Sequence, residues 1–169
     1  MKSLKLCFFL MVFLSVSCQS AGKFYARKTM LQKDADLKTF YIDEMTTPFP
    51  ENKEYVDFIE SLKHELNRAF LKKGFVEDQE TPDLKVNARV VYVNEGDPAL
   101  RYFMGNGLGK GEAKILFEIT DAQGVNLVEG TGVGCLVGGW WGGSMSDISM
   151  ALAKDLIKQI KTGEFRSKY

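Results

Sequence analysis

Few residues of this 169-residue chain have the types and spacing that chemistry demands. The segment GNGLGKG, 105–111, invites an anion-binding reading. Glycine loops ahead of helices turn backbone N–H groups toward phosphates. A dinucleotide fingerprint needs glycine where Lys110 stands; a P-loop needs glycine at Met104 and a hydroxyl residue at Gly111. AKILFEIT follows with the period of a strand, so neither nucleotide nor cofactor is expected. His64-Glu65 lies in a helical pattern, but a zinc protease needs a second histidine at Arg68, and the chain has only one histidine. No metal site is expected, and His64 belongs on a solvated helix face. Cys135 has no histidine near it in sequence and apolar neighbours, which reads as a buried, inert thiol. Acid–base catalysis needs carboxylates facing one pocket with separated pKa values. The acids here mostly alternate outward, so no catalytic residue is assigned and the chain is read as non-enzymatic. The alternative, an envelope enzyme with a site near residues 95–112, would need Glu95, Asp97 and Glu112 to converge with Arg101.

Cys18 is the position with the clearest chemistry. MKSLK is basic and Leu6 to Leu14 is uninterruptedly apolar; small residues then surround Cys18. That is the pattern of a signal peptide, 1–17, and its apolar run is shorter than the roughly 20 residues of a bilayer-spanning helix. Leu14-Ser15-Val16-Ser17-Cys18 resembles a lipobox, in which the cysteine is acylated and becomes the first residue. Ser15-Val16-Ser17 also satisfies a small-x-small site that would cut the same bond and release a secreted, soluble protein. Stable anchoring takes more than one acyl chain, which this modification supplies. Gln19 is not aspartate, which by the usual sorting resemblance directs the protein to an outer membrane, facing the periplasm. With Cys7 in the signal and Cys18 acylated, Cys135 is left alone and no disulfide framework is possible. The domain must stand on its hydrophobic core, which roughly 150 residues suffice to build. Acidic and basic residues balance at 22 each without a basic stripe, so nucleic acid is not an expected partner.

Trp140-Trp141 sits in GTGVGCLVGGWWGGSMSD, 130–147, which has no charge before Asp147. Three readings stay open. The pair can cap the domain's own core, form a partner or self-association surface, or lie at the headgroup level of a membrane.

The elements that position these residues follow from hydrophobic period. Residues 18–36 are polar without period and read as a lipid-anchored tether. A first strand is expected at 37–43, LKTFYID. Tyr55, Phe58, Ile59, Leu62, Leu66, Ala69 and Phe70 recur at helical spacing, and Gly74 suits a left-handed cap. Strands are expected at 84–93 and 113–120, the second with Ile115, Phe117 and Ile119 inward, and Asp121 to Gly124 reads as a hairpin turn into VNLVEGTGVG. The glycines of that returning strand imply bending or close packing. Ser144 or Ser146 caps a last helix with Asp147 in its first turn; Ile148, Leu152, Leu156 and Ile160 form its buried stripe and Gly163 ends it. The expected fold is α+β, a largely antiparallel sheet of about four strands with two helices packed on one face, in the order β-α-β-β-β-α. One domain spans 37–163, with a C-terminal tail at 164–169.

A Gly-x-Gly segment, a strand, an Asp-Ala-x-Gly hairpin, a strand, Gly-Gly-Trp-Trp-Gly-Gly and a Ser-x-x-Asp helix start occur here in succession. This order resembles the bacterial lipoproteins of the domain of unknown function 4410 family, over roughly residues 37–163. The element order is also similar to the curli-secretion lipoprotein and the N-terminal domain of TolB. The resemblance implies an envelope lipoprotein and carries over no catalytic residue. The expected role is an accessory or partner-binding envelope protein, or a secretion or pore-assembly component. Its expected partners are the membrane, through lipid on Cys18, and an envelope protein or a second copy.

Overall fold

The computed structural model describes residues 20–32, 35–97, 109–136 and 143–167. Six strands and two helices follow in the order β1 (Ser20–Thr29), β2 (Thr39–Thr46), α1 (Lys53–Lys72), β3 (Val76–Glu77), β4 (Leu84–Asn94), β5 (Gly111–Thr120), β6 (Asn126–Leu136) and α2 (Met145–Thr162). The strands form one sheet in the spatial order β1-β6-β5-β4-β2-β3. Pairings are antiparallel from β1 through β4 and parallel for β4-β2 and β2-β3. A parallel neighbour needs a crossover, which α1 supplies between β2 and β4.

The α+β class, the mainly antiparallel pairing and the two helices agree with the sequence pattern, while the strand count is six rather than about four. The largest difference is β1. Residues 20–29, expected to be part of a tether, form a strand paired along β6 from Ser20↔Leu136 to Thr29↔Val128. Its inward positions are Gly22, Phe24 and Ala26, and only Phe24 is large and fully buried. A register shift between Ala26 and Lys28 breaks the alternation further, so no period of two is visible in the sequence.

Each helix forms where capping and period agree. In α1, Asn52 accepts from the Glu54 N–H at 2.9 Å, and Tyr55, Phe58, Leu62, Leu66 and Phe70 are the buried stripe. Phe70 stacks on Phe40 of β2 with ring centroids 4.4 Å apart, and Phe75 meets it edge-on at 5.2 Å. In α2, the Ser144 N–H donates to Asp147 Oδ2 at 2.7 Å, and Gly163 takes the left-handed cap conformation at φ 65°. Ile148, Leu152, Leu156 and Ile160 are all buried. The core lies between this helical layer and one sheet face, where Ile115, Phe117 and Ile119 point inward as their alternation requires.

Helix α2 packs on β1 and β6, and it does so closely because the strands leave room for it. Gly130, Gly132 and Gly134 share the inward face of β6. A Cβ on Gly132 would lie 2.8 Å from the Phe117 ring, and one on Gly134 would overlap Ile148. On β1, a Cβ at Gly22 would lie 2.5 Å from the Leu152 nitrogen, which is helix backbone. The glycine-rich run is thus a packing device, and the close-packing alternative is the one the fold adopts.

The outer edge of β1 is closed by side chains and by the chain's own end. Asp155 Oδ2 accepts from the Phe24 N–H at 2.7 Å, and Gln159 Nε2 donates to the Phe24 carbonyl at 3.0 Å. Arg166 donates to both Asp155 oxygens at 2.6 and 2.9 Å, while its own carbonyl accepts from the Ala26 N–H at 2.8 Å. Within the C-terminal tail expected at 164–169, Arg166 thus docks on β1, and Phe165 packs at the core margin.

Candidate functional site

Among the described residues the second face of the sheet carries no helix, and its side chains are the outward half of every alternation. The register sets them in rows across β4, β5 and β6: Asn87–Glu118–Glu129, Arg89–Leu116–Thr131, Tyr92–Lys114–Val133 and Asn94–Glu112–Cys135. Tyr92, Leu116 and Val133 are each about four-tenths exposed (42%, 42% and 41%), apolar residues set among Lys114 and Arg89 in two adjacent rows. An antiparallel sheet tolerates one solvated face, so this arrangement requires no partner to be stable.

Part of that face is a concave trough of about 630 Å³ lined by Arg27, Asp43, Glu44, Arg89, Glu118 and Glu129 among others, four carboxylates against two guanidinium groups. Glu118 and Glu129 oppose each other directly, an unfavourable like-charge pair. It is offset by an ion pair from Arg27 to Glu129 and by Asn126 Nδ2 donating to Glu118 at 3.1 Å. Lys85 Nζ holds Asp43 at 3.0 Å. Arg89 has no ion pair among the described residues. These groups face water, where individual pairs contribute little. The trough can recognise charge, but its walls do not exclude water in the way that strengthens acid–base groups.

The carboxylates with shifted titration serve the fold instead. Asp83, at the start of β4, accepts from the Lys38 and Thr39 N–H groups at 2.7 and 2.8 Å, and its own N–H donates to Thr39 Oγ1 at 2.8 Å. Partial burial pushes its pKa up, and the hydrogen bonds from Lys38 and Thr39 outweigh that and hold it below the usual carboxylate value. Asp78 is likewise held low, by the Thr81 and Glu80 N–H groups and the Thr81 hydroxyl. Both residues fasten the segments around β3.

Of the residues singled out from sequence, Cys18, Trp140 and Trp141 lie outside the described residues, as do residues 1–17 and Arg101. Glu95, Asp97 and Glu112 are all exposed, Glu112 as an outward residue of β5. Gly111 begins a strand and not a helix, as the failed phosphate motifs imply. His64 is on the solvated side of α1. Cys135 is half-buried on the outward face, a correction to the expected buried thiol. Its apolar sequence neighbours Leu136 and Val133 mislead, because Leu136 points to the opposite face and Val133 is itself exposed. The trough escaped the sequence reading because its residues come from five strands or their flanks.

The strand ends locate the connections that leave the described residues. Ser20 opposes Leu136, Leu136 opposes Gly111, and Glu112 opposes Asn94. The start of β1, the end of β6, the start of β5 and the end of β4 thus meet at one end of the sheet.

No known family profile matches the chain, and no curated protein matches it. The fold is similar to the PelC dodecamer structure from Paraburkholderia phytofirmans, at 12% identity over 89% of this chain and all (100%) of that one, with a TM-score of 0.51. The chain also aligns with a minor lipoprotein from Acinetobacter baumannii, at 13% identity over 77% of this chain and 97% of that one, with a TM-score of 0.45. A third alignment is with a DUF4136 family protein from Bacteroides thetaiotaomicron, at 10% identity, 83% and 97% coverage and a TM-score of 0.38.

Proposed function

We infer that this chain is a lipid-anchored envelope protein that acts through contacts rather than catalysis, with the Ser20/Leu136 end of its sheet held against the membrane. One observation carries this reading: β1 begins at Ser20, two positions after Cys18. Two residues span about 7 Å at full extension. Acyl chains on Cys18 would therefore hold the domain at the bilayer surface with almost no spacer. Leu136 lies opposite Ser20, so the connection holding Trp140 and Trp141 leaves the sheet at the same end. Tryptophan suits both the headgroup level and protein hot spots, and either contact would be made beside the anchor. No helix among the described residues is long and apolar enough to cross a membrane. The outer membrane, facing the periplasm, is the proposed location.

The experiment is palmitate labelling with and without globomycin, followed by fractionation. Labelled, membrane-bound protein is expected, and Cys18→Ala is expected in the soluble fraction. A Cys18→Ala protein that still fractionates with membranes sinks the anchor. For the tryptophans, Trp140→Ala/Trp141→Ala is expected to keep its melting temperature while losing crosslinked envelope partners or flotation with vesicles. A large fall in melting temperature with contacts intact would assign the pair to the core.

A second reading, an assembly component working in several copies, is favoured by the fold likeness to PelC, whose structure is a dodecamer.

A further inference from the structure

The two lateral edges of the domain differ in charge. Along the β1/α2 edge, Arg27 and Lys28 of β1 and Lys154 and Lys158 of α2 are all exposed. Lys28, Lys154 and Lys158 form no ion pair among the described residues, whereas Lys161 turns toward the α1/β3 side, 5.0 Å from the Phe75 ring centroid. Of the acids on this flank, Glu129 is committed to Arg27, Asp155 to Arg166 and the Phe24 N–H, and Asp147 to the α2 cap, while Glu164 of the docked chain end is exposed beside them.

The opposite edge, formed by β2, β3 and the flank of α1, is acidic. Glu44, Glu60, Glu77 and Glu80 are exposed there, with Lys63 interspersed and Lys38, beside β3, paired with Asp36. Glu77 accepts only a long contact, 3.4 Å, from Asn67 Nδ2, and Glu44, Glu60 and Glu80 form no ion pair among the described residues. Val76 is 62% exposed in the middle of this edge. β3 pairs with β2 only at Thr39 and Phe40, so the rest of β2 presents an uncovered strand edge.

We propose that the occupant of each edge is the other edge of a second copy, so that copies associate side by side, basic β1/α2 flank against acidic β2/β3/α1 flank. The contact is heterologous: two different patches meet, and repetition builds a ring or a row instead of a closed two-fold dimer. Side-by-side repetition about an axis along the strands keeps every Ser20/Leu136 end pointing the same way, which a shared membrane requires. A face-to-face pair that matched the acidic Glu118/Glu129 row to the Lys114 row would instead reverse one copy, because those rows follow one another along the strands. The proposal deepens the assembly reading; the edge contact rests on charge, and only the shared orientation of the copies rests on the anchor.

The experiment is sedimentation of the protein in detergent micelles, with in-cell crosslinking alongside. Wild type is expected as a multi-copy species at low ionic strength that dissociates as salt rises, since exposed charges are screened within about 10 Å at 0.1 M. Lys28→Glu/Lys158→Glu and Glu44→Lys/Glu77→Lys are each expected to weaken association about a hundredfold, the scale of like-charge juxtaposition. Mixing the two variants, or combining all four changes in one chain, is expected to restore it. Melting temperatures close to that of wild type check that the variants fold, since exposed substitutions of this kind shift stability little. A wild-type monomer at low salt, or variants that associate like wild type, overturns the proposal. The anchor is read separately by fractionation, so a failed anchor and a failed interface give different results.

Discussion

Asp155→Ala removes the residue that ties the first strand, the last helix and the chain's end together. Its carboxylate, 12% exposed, accepts from the Phe24 N–H, from Gln159 Nε2 at 2.9 Å and twice from Arg166. Hydrogen bonds to a charged group contribute about 1.5–3 kcal/mol each. They are not additive here: Arg166 is partly exposed and recovers water, and Gln159 retains the Phe24 carbonyl. The unrecovered part is the Phe24 N–H and the docking of the tail, on the order of 3 kcal/mol. For a domain of this size that corresponds to a fall of about 6–12 °C in melting temperature. Urea denaturation of Asp155→Ala, Arg166→Ala and the double variant measures the loss and the coupling, and amide exchange at Phe24 and Ala26 locates it. If Asp155→Ala costs less than about 1 kcal/mol, or β1 amides exchange as in wild type, the edge is held by burial of Phe24 and not by this network.

Glycine substitutions separate close packing from backbone conformation. Gly22→Ala puts a methyl against α2 backbone and is expected to cost about 3 kcal/mol or more. Gly74→Ala has open space around it but a φ of +85°, and is expected to cost only about 1 kcal/mol; equal losses on thermal melting would refute the distinction. Because the Asp83 pKa is lowered on folding, its contribution is complete above the unfolded value and is lost as pH falls through the folded one. Asp83→Asn is thus expected to flatten the acid limb of the stability curve below about pH 4, and an unchanged limb counts against the clasp. Cys135 is expected to react with a small maleimide in the native protein, more slowly than a free thiol. Reaction only after unfolding would place it on the helix side and shift the β6 register by one residue.

Local pattern made a large part of this molecule legible. The stripe from Tyr55 to Phe70, the Ser144–Asp147 start of α2 and the Asp121–Gly124 turn are written in adjacent residues, because helix period, capping and turn chemistry are satisfied within a few positions. The inward Ile115, Phe117 and Ile119 follow from the pleat in the same way. Cys18 and its apolar leader are also local signals. What adjacent residues do not encode is which strand meets which. SAGKFYARKT lacks alternation because its inward Gly22 and Ala26 answer to a helix more than a hundred residues later. The role of Gly134 is decided by Ile148, and the side to which Cys135 turns is decided by register. Only when the sheet closes do the trough, the shared end of Ser20 and Leu136 and the two oppositely charged edges exist. Each is assembled from side chains far apart in sequence, brought together by the tertiary pairing that buries the core.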